Sequence, residues 1–145
     1  MTRRMKCRTV DYLPEIDTFL PDGKNTGNVQ EYVLKIEELE AMRLIDVLGL
    51  SQKESAEKMN VSRQTFQKII DSAHNKVALA LVGGASIRIS GGSFVTRKCK
   101  IMCLDCGNTY EPGFEDDKVA CPKCGSQKIQ CTQKNTHCMK LCWED

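Results

Sequence analysis

Apolar residues between positions 31 and 50 recur every three or four places: Val33, Ile36, Leu39, Leu44, Val47 and Leu48, with Met42 and Ile45 widening the stripe. That period predicts an amphipathic helix, closed by Gly49. Ser51 opens the next helix. Glu54 lies three residues on, so the pair forms a capping box, and Ala56 and Met59 make the inner face. Asn60 suits the left-handed corner that follows. Ser62 then caps a third helix whose apolar side is Phe66, Ile69, Ile70, Ala73, Val77 and Leu81. No proline interrupts residues 31–82, and the whole stretch reads as helical. Beyond it the period changes. Two Gly-Gly pairs enclose the alternating Ile87-Arg88-Ile89, which predicts a short strand or hairpin element.

These patterns divide the chain into three. Residues 1–30 read as a basic arm running into loop sequence with Pro14, Pro21, Gly23 and Gly27. Residues 31–93 read as a helical domain with a short β element. Residues 94–145 hold eight of the nine cysteines. The expected fold is a mainly α N-terminal domain followed by a small, metal-bound, zinc-ribbon-like β module. Composition agrees with small modules. Hydrophobic content is 41% and aromatics only 6% over 145 residues, too little for one large core.

Net charge is +2, so any contact with nucleic acid has to come from local basic segments. Arg3, Arg4, Lys6 and Arg8 form one, without an acid among residues 1–10. Arg88, Arg97, Lys98 and Lys100 form another. Between the two capped helices, Met59-Asn60-Val61 makes a corner. Val61 is placed to staple against Phe66, and small Ala56 allows a close crossing. This is the sequence shape of a helix-turn-helix, whose second helix enters the major groove N-terminal end first. The exposed residues there are Arg63, Gln64, Gln67 and Lys68, with Thr65 partly exposed. Arg can fork onto guanine and Gln onto adenine. Ser62, Thr65 and the free N–H groups of the helix start suit a phosphate, and Lys53 is placed to touch backbone. The competing reading is an ordinary helical hairpin with a polar face.

The run LEAMRLIDVLGLSQKESAEKMNVSRQTFQKIIDSAHNKVALALVGG resembles the small predicted DNA-binding proteins of bacteria and archaea known as domain of unknown function 134. The likeness extends from about Leu39 through Gly92, with a looser match over residues 3–14. It implies a helix-turn-helix similar to region 4 of sigma factors, a recognition helix beginning at Ser62 to Lys68, and a role in transcription. Nothing carries over to residues 94–145.

Cys103-Leu104-Asp105-Cys106-Gly107 and Cys121-Pro122-Lys123-Cys124-Gly125 are two CxxCG knuckles, with fourteen residues between Cys106 and Cys121. Two intervening residues let both sulfurs of a knuckle reach one ion. The glycine permits the tight turn in which backbone N–H groups point at sulfur. Four thiolates make a closed tetrahedral site, the pattern of structural zinc; a rubredoxin-like iron uses similar knuckles. Five cysteines remain. Cys99, Cys131, Cys138 and Cys142 are a second candidate set, for a metal ion or an iron–sulfur cluster, with His137 as a substitute ligand. The competing reading is reduced thiols in a tail. Cys7 stands apart, and His74 reads as a surface residue.

The chain opens MTRRMKCRTVDYLPE, without a signal-peptide-like apolar run, and holds no 18-residue apolar stretch. A cytoplasmic protein with no membrane partner is therefore expected, and reduced thiols favour metal over disulfides. No Ser/His/Asp arrangement, phosphate-cradling glycine loop or HExxH motif is present, and two closed knuckles leave a metal no open position. The expectation is a transcription regulator, not an enzyme, binding double-stranded DNA as a homodimer, since one recognition helix buries little surface. Metal or redox state would tune it, and RNA polymerase is a candidate partner. The alternative is a metal-binding interaction or carrier module without specific DNA readout: a DNA reader loses affinity steeply with salt, whereas such a module binds no DNA even at low salt.

Overall fold

The computed structural model describes residues 5–23, 29–96 and 99–132. Its strands are β1 (Arg8–Val10), β2 (Thr18–Phe19), β3 (Glu31–Leu34), β4 (Ser86–Ile89), β5 (Phe94–Thr96), β6 (Ile101–Cys103), β7 (Thr109–Tyr110) and β8 (Ile129–Cys131). Its α-helices are α1 (Ile36–Met42), α2 (Gln52–Lys58) and α3 (Arg63–Gly83). The fold is mixed, 36% helical and 21% strand, and the expectation of a mainly α N-terminal domain is corrected accordingly.

The reason is long-range pairing. Residues 31–34 are a strand, not the first turn of a helix: Glu31-Tyr32-Val33-Leu34 lies parallel to Ser86–Ile89. Parallel neighbours need a long crossover, here α1, α2 and α3. β2 adds to the other edge of β4, antiparallel, with Phe19 opposite Ile87. The end of the basic stretch is also strand, Arg8–Val10 parallel to Phe94–Thr96. None of these partners is visible in local periodicity.

Helix α1 continues through Arg43–Val47 as a π-helical turn, and Gly49 then takes a left-handed φ of 71°. Two apolar clusters form. One lies under the strands: Val10, Leu34, Ile36, Ala73, Ile89 and Phe94. The other lies among the helices: Ala41, Leu44, Ala56, Met59, Phe66, Ile69 and Ile70, with Leu50 and Val61 against it.

Between them sits a group of buried acids that charge counting does not anticipate. Glu37, Glu38 and Glu40 are only 4%, 3% and 2% exposed. Each is used as an acceptor. Glu37 Oε2 takes the Ser93 N–H at 2.9 Å. Glu38 takes Ser72 Oγ at 2.5 Å, Lys76 Nζ at 2.6 Å and the Lys35 N–H at 2.9 Å. Glu40 takes the Asp11 N–H at 2.5 Å and Arg43 Nε at 2.6 Å. The acidic face of α1 thus ties the strands to α3.

Candidate metal centre and helical corner

The cysteine module is built on the antiparallel sheet β7–β6–β8. Cys103 ends β6, and the chain turns back through Cys106 and Gly107. Gly107, at φ 76°, donates its N–H to the Cys103 carbonyl at 3.0 Å. The second knuckle repeats this: Gly125, at φ 77°, donates to the Cys121 carbonyl at 2.8 Å. Both glycines hold a left-handed conformation that a side chain would strain. The two turns bring Cys103, Cys106, Cys121 and Cys124 sulfurs within 4.8 Å of one another.

The sulfur spacing tests whether an ion fits. A tetrahedral ion with bonds to sulfur of about 2.3 Å sets its ligands about 3.8 Å apart. Cys103 and Cys124 sulfurs are 3.5 Å apart, and those of Cys106 and Cys121 are 3.8 Å apart. The site therefore has room for one ion of that size among four thiolates. Its backbone favours thiolates at two of them. The Cys103 thiol is lowered chiefly by the Cys106 N–H. Burial pushes Cys121 up, but N–H groups of Cys124 and Lys123 outweigh it and bring the thiol down to about 6. The Ser126 N–H lowers Cys124, but the neighbouring sulfurs outweigh it and push this thiol up to about 12. A dication would relieve that crowding.

The second candidate set is not assembled within the described residues. Cys99 Sγ lies 3.3 Å from the Thr96 N–H donor and 3.2 Å from Thr96 Oγ1. Cys131 sits on β8 opposite Ile101. Neither joins a cluster of metal-ligating groups among the described residues. Cys138, Cys142 and His137 lie outside them. Cys7 is a buried thiol donating to Glu115 Oε1 at 3.2 Å, pushed up to about 12 first by burial and then by that carboxylate. His74 is half-exposed on α3, with Nε2 2.7 Å from Asp46 Oδ2.

The helical corner is assembled by two side-chain caps. Ser51 Oγ accepts the Glu54 N–H at 3.1 Å, and Ser62 Oγ accepts the Thr65 N–H at 3.1 Å. Between the helices Asn60 takes φ 58°, and Val61 donates its N–H to the Ala56 carbonyl at 3.0 Å. Ala56, Phe66 and Ile70 then pack together. Arg63, Gln64 and Lys68 are exposed on the first turns of α3, Thr65 and Gln67 are half-buried, and Lys53 is exposed on the first turn of α2. Gln67 is engaged by Asp71, Nε2 to Oδ1 at 2.8 Å. Arg3 and Arg4 lie outside the described residues.

A connection that sequence reading missed runs along residues 5–9. The Thr9 N–H donates to the Met59 carbonyl at 2.9 Å, and Lys6 Nζ donates to Asn60 Oδ1 at 3.2 Å. The same segment meets the loop between the knuckles: the Cys7 N–H donates to Gly113 and the Glu115 N–H to the Met5 carbonyl, both at 3.0 Å. The basic stretch is thus a strap from the corner to the cysteine module. Its sequence signal is slight: Met5 and Cys7 alternate with Lys6 and Arg8.

A strapped two-helix corner beside a four-cysteine site defines the class of protein. Comparison with known families supplies the particular one. Residues 1–97 match the model of the protein family of unknown function DUF134, and the chain belongs to that family. It is 54% identical to a UPF0251 protein of Clostridium tetani over 142 residues, covering 98% of this chain and 97% of the relative. It is 51% identical to a UPF0251 protein of Clostridium novyi over 145 residues, covering 100% and 99%. A Clostridium botulinum UPF0251 protein is 51% identical over 142 residues, covering 98% and 90%. No solved structure matches. The family model stops short of the knuckles, but the clostridial relatives align through them. Among the described residues, no helix is long and apolar enough to cross a membrane.

Proposed function

We propose that this chain is a cytosolic, sequence-specific DNA-binding transcription regulator without catalytic activity, carrying one structural zinc ion in its four-cysteine site. The carrying observation is the free N-terminal end of α3. A capped, 21-residue helix, braced by a second capped helix through a left-handed corner, presents Arg63, Gln64 and Lys68 to solvent. Among residues 62–70 there is no acid. In this reading α3 is the recognition helix, with Arg63 and Gln64 reading base edges. Ser62, Thr65, Gln67, Lys68 and Lys53 position the backbone, and Arg3 and Arg4, just ahead of the strap, add phosphate or minor-groove contacts. RNA polymerase remains a partner this reading accommodates.

The test is binding of the zinc-loaded protein to DNA sites selected from a random pool, followed by fluorescence anisotropy. Arg63→Ala with Gln64→Ala is expected to weaken selected sites by about 2–6 kcal/mol in total, about 1–3 kcal/mol for each base contact. Nonspecific binding and the thermal melt should stay unchanged. Equal affinity in the double variant would remove the assignment. A second reading, a metal-carrying interaction module, draws on Leu104, 56% exposed within the first knuckle. It requires the absence of DNA binding even at low salt.

A further inference from the structure

The last turns of α3 are apolar on every side. Val77, Ala78, Leu79, Ala80, Leu81 and Val82 run without a polar residue up to Gly83, yet only Ala80 among them is buried. Leu79 is 45%, Leu81 75% and Val82 89% exposed. A helix apolar all round is ordinarily buried all round. The neighbouring strand adds to the surface. β4 begins just after α3, and opposite its Ile87 stands Phe19, 55% exposed and followed by Leu20, 70% exposed. Summed over the helix end and the strand edge, these side chains leave on the order of 500 Å² of apolar surface in water.

We infer that this end of α3 is the face on which a second copy of the chain docks across a two-fold axis. Two features select a second copy. First, residues 77–87 carry no charge, so nothing in the segment repels its own image when a dyad brings like residues together. Second, the apolar area approaches the roughly 800 Å² per partner of a standard interface, with a polar rim supplying the rest.

The DNA reading adds a distance, and this step rests on that reading. The centre of the Gln64–Lys68 segment lies 15 residues from Leu81, about 23 Å along the helix axis. With a dyad at Leu81, helices meeting at about a right angle would set the recognition ends about 32 Å apart. That is close to one turn of B-DNA, the spacing of successive major-groove half-sites.

The test is sedimentation equilibrium of the full-length, metal-loaded chain over roughly 1 to 100 μM. Wild type is expected to dimerise. Leu81→Gln with Val82→Gln is expected to raise the dimer dissociation constant on the order of 100-fold. The exchange alters no charge and uses a good helix former, so far-UV dichroism should be unchanged. If the double variant fails to fold, Val82→Gln alone serves, because a residue 89% exposed takes little part in the monomer's core. A wild type that is monomeric throughout overturns the inference, as does a folded variant that dimerises as tightly as wild type. A chain that dimerises only after residues 133–145 are deleted gives the face to that segment, and overturns it too. The DNA reading is judged separately. If it holds, the variant loses cooperative binding to paired sites but keeps binding to one half-site. If no form binds DNA, that reading fails while the dimer result stands.

Discussion

The corner between α2 and α3 buries Ala56, Met59, Phe66, Ile69 and Ile70 against one another, whereas the cysteine module between residues 99 and 132 buries Ile101, Pro112, two of its four clustered cysteines, Asp117 and Lys118. The first region excludes water from apolar surface, at about 25 cal/mol for each Å² buried. The second buries little apolar surface beyond Ile101 and Pro112 and has a polar interior: the Asp117 carboxylate accepts N–H groups of Gly113 and Phe114, and Lys118 Nζ donates to the Phe94 carbonyl. Hydrogen bonds of that kind contribute about 1 kcal/mol each, net, and cannot fold so short a chain alone. The difference teaches where the metal matters. In the corner an ion would be superfluous; in the module one held by the four cysteines would supply the missing core.

Removing the ion should therefore break the comparison most visibly. Chelation, or Cys103→Ser with Cys121→Ser, is expected to remove on the order of 10 kcal/mol from the module. In a two-dimensional amide spectrum, signals of residues 101–131 should collapse while those of α2 and the middle of α3 persist. Amides of Cys7 and Thr9 should also exchange faster, because the strap is held at one end by Gly113 and Glu115 in the loop between the knuckles. Unchanged module signals after complete metal loss would show that the sheet β7–β6–β8 stands without it. If the strap loosens, the corner loses the Thr9 bond to Met59, and DNA affinity becomes a readout of metal occupancy.

The same two regions were also the legible ones. Capping serines, the corner asparagine and the CxxCG knuckles all act within a few residues, so their spacing can be read directly. The parallel pairings cannot: Glu31–Leu34 finds its partner at Ser86–Ile89, across three helices, and Val33 and Ile36 fit the helical period well enough to hide the strand. The buried glutamates fail for a like reason. An acid-rich segment reads as a solvated face until its partners are known, and those of Glu37, Glu38 and Glu40 include Ser93, Lys76 and Asp11. The strap reads in sequence as a basic arm because four basic residues in a row of ten say nothing about the Met59 and Asn60 groups that two of its residues bond.

A smaller effect sharpens the contrast inside the helical body. Glu38 holds Lys76, Ser72 and its own helix start. Burial pushes its carboxyl up, but hydrogen bonds from Lys76, Ser72 and the Lys35 N–H prevail and hold it below the ordinary 4.5. A carboxyl depressed in the folded state contributes stability that is present above about 4.5, its unfolded value, and is lost as pH falls through the folded value. Burial moves the neighbouring Glu37 the other way, up from 4.5, so its share is present at low pH and fades as pH rises through its folded value. Glu38→Gln is expected to lower stability by about 2 kcal/mol near neutral pH, less than a fully buried pair because the Lys76 side chain is 26% exposed. Urea melts at pH 7 and pH 3.5 should show the gap to wild type narrowing at the lower pH. A constant gap would mean that Glu38 acts through packing, not charge.

The smallest effect separates architecture from recognition. Ser51 and Ser62 make the same cap, each accepting the N–H three residues on at 3.1 Å. Replacing either by Ala should cost about 1 kcal/mol of stability, measured by thermal melts. Their consequences for DNA should differ. Ser62 fixes the first turn of α3, where Arg63 and Gln64 stand, and its hydroxyl also donates to Thr65 Oγ1 at 3.0 Å. Fraying there disorders the proposed reading head itself, so Ser62→Ala should weaken selected DNA sites several-fold more than Ser51→Ala. Ser51 caps the supporting helix, whose fraying leaves Arg63 and Gln64 where they are. Equal losses of affinity in the two variants would mean that DNA binding follows global stability, and that the start of α3 holds no special place in it.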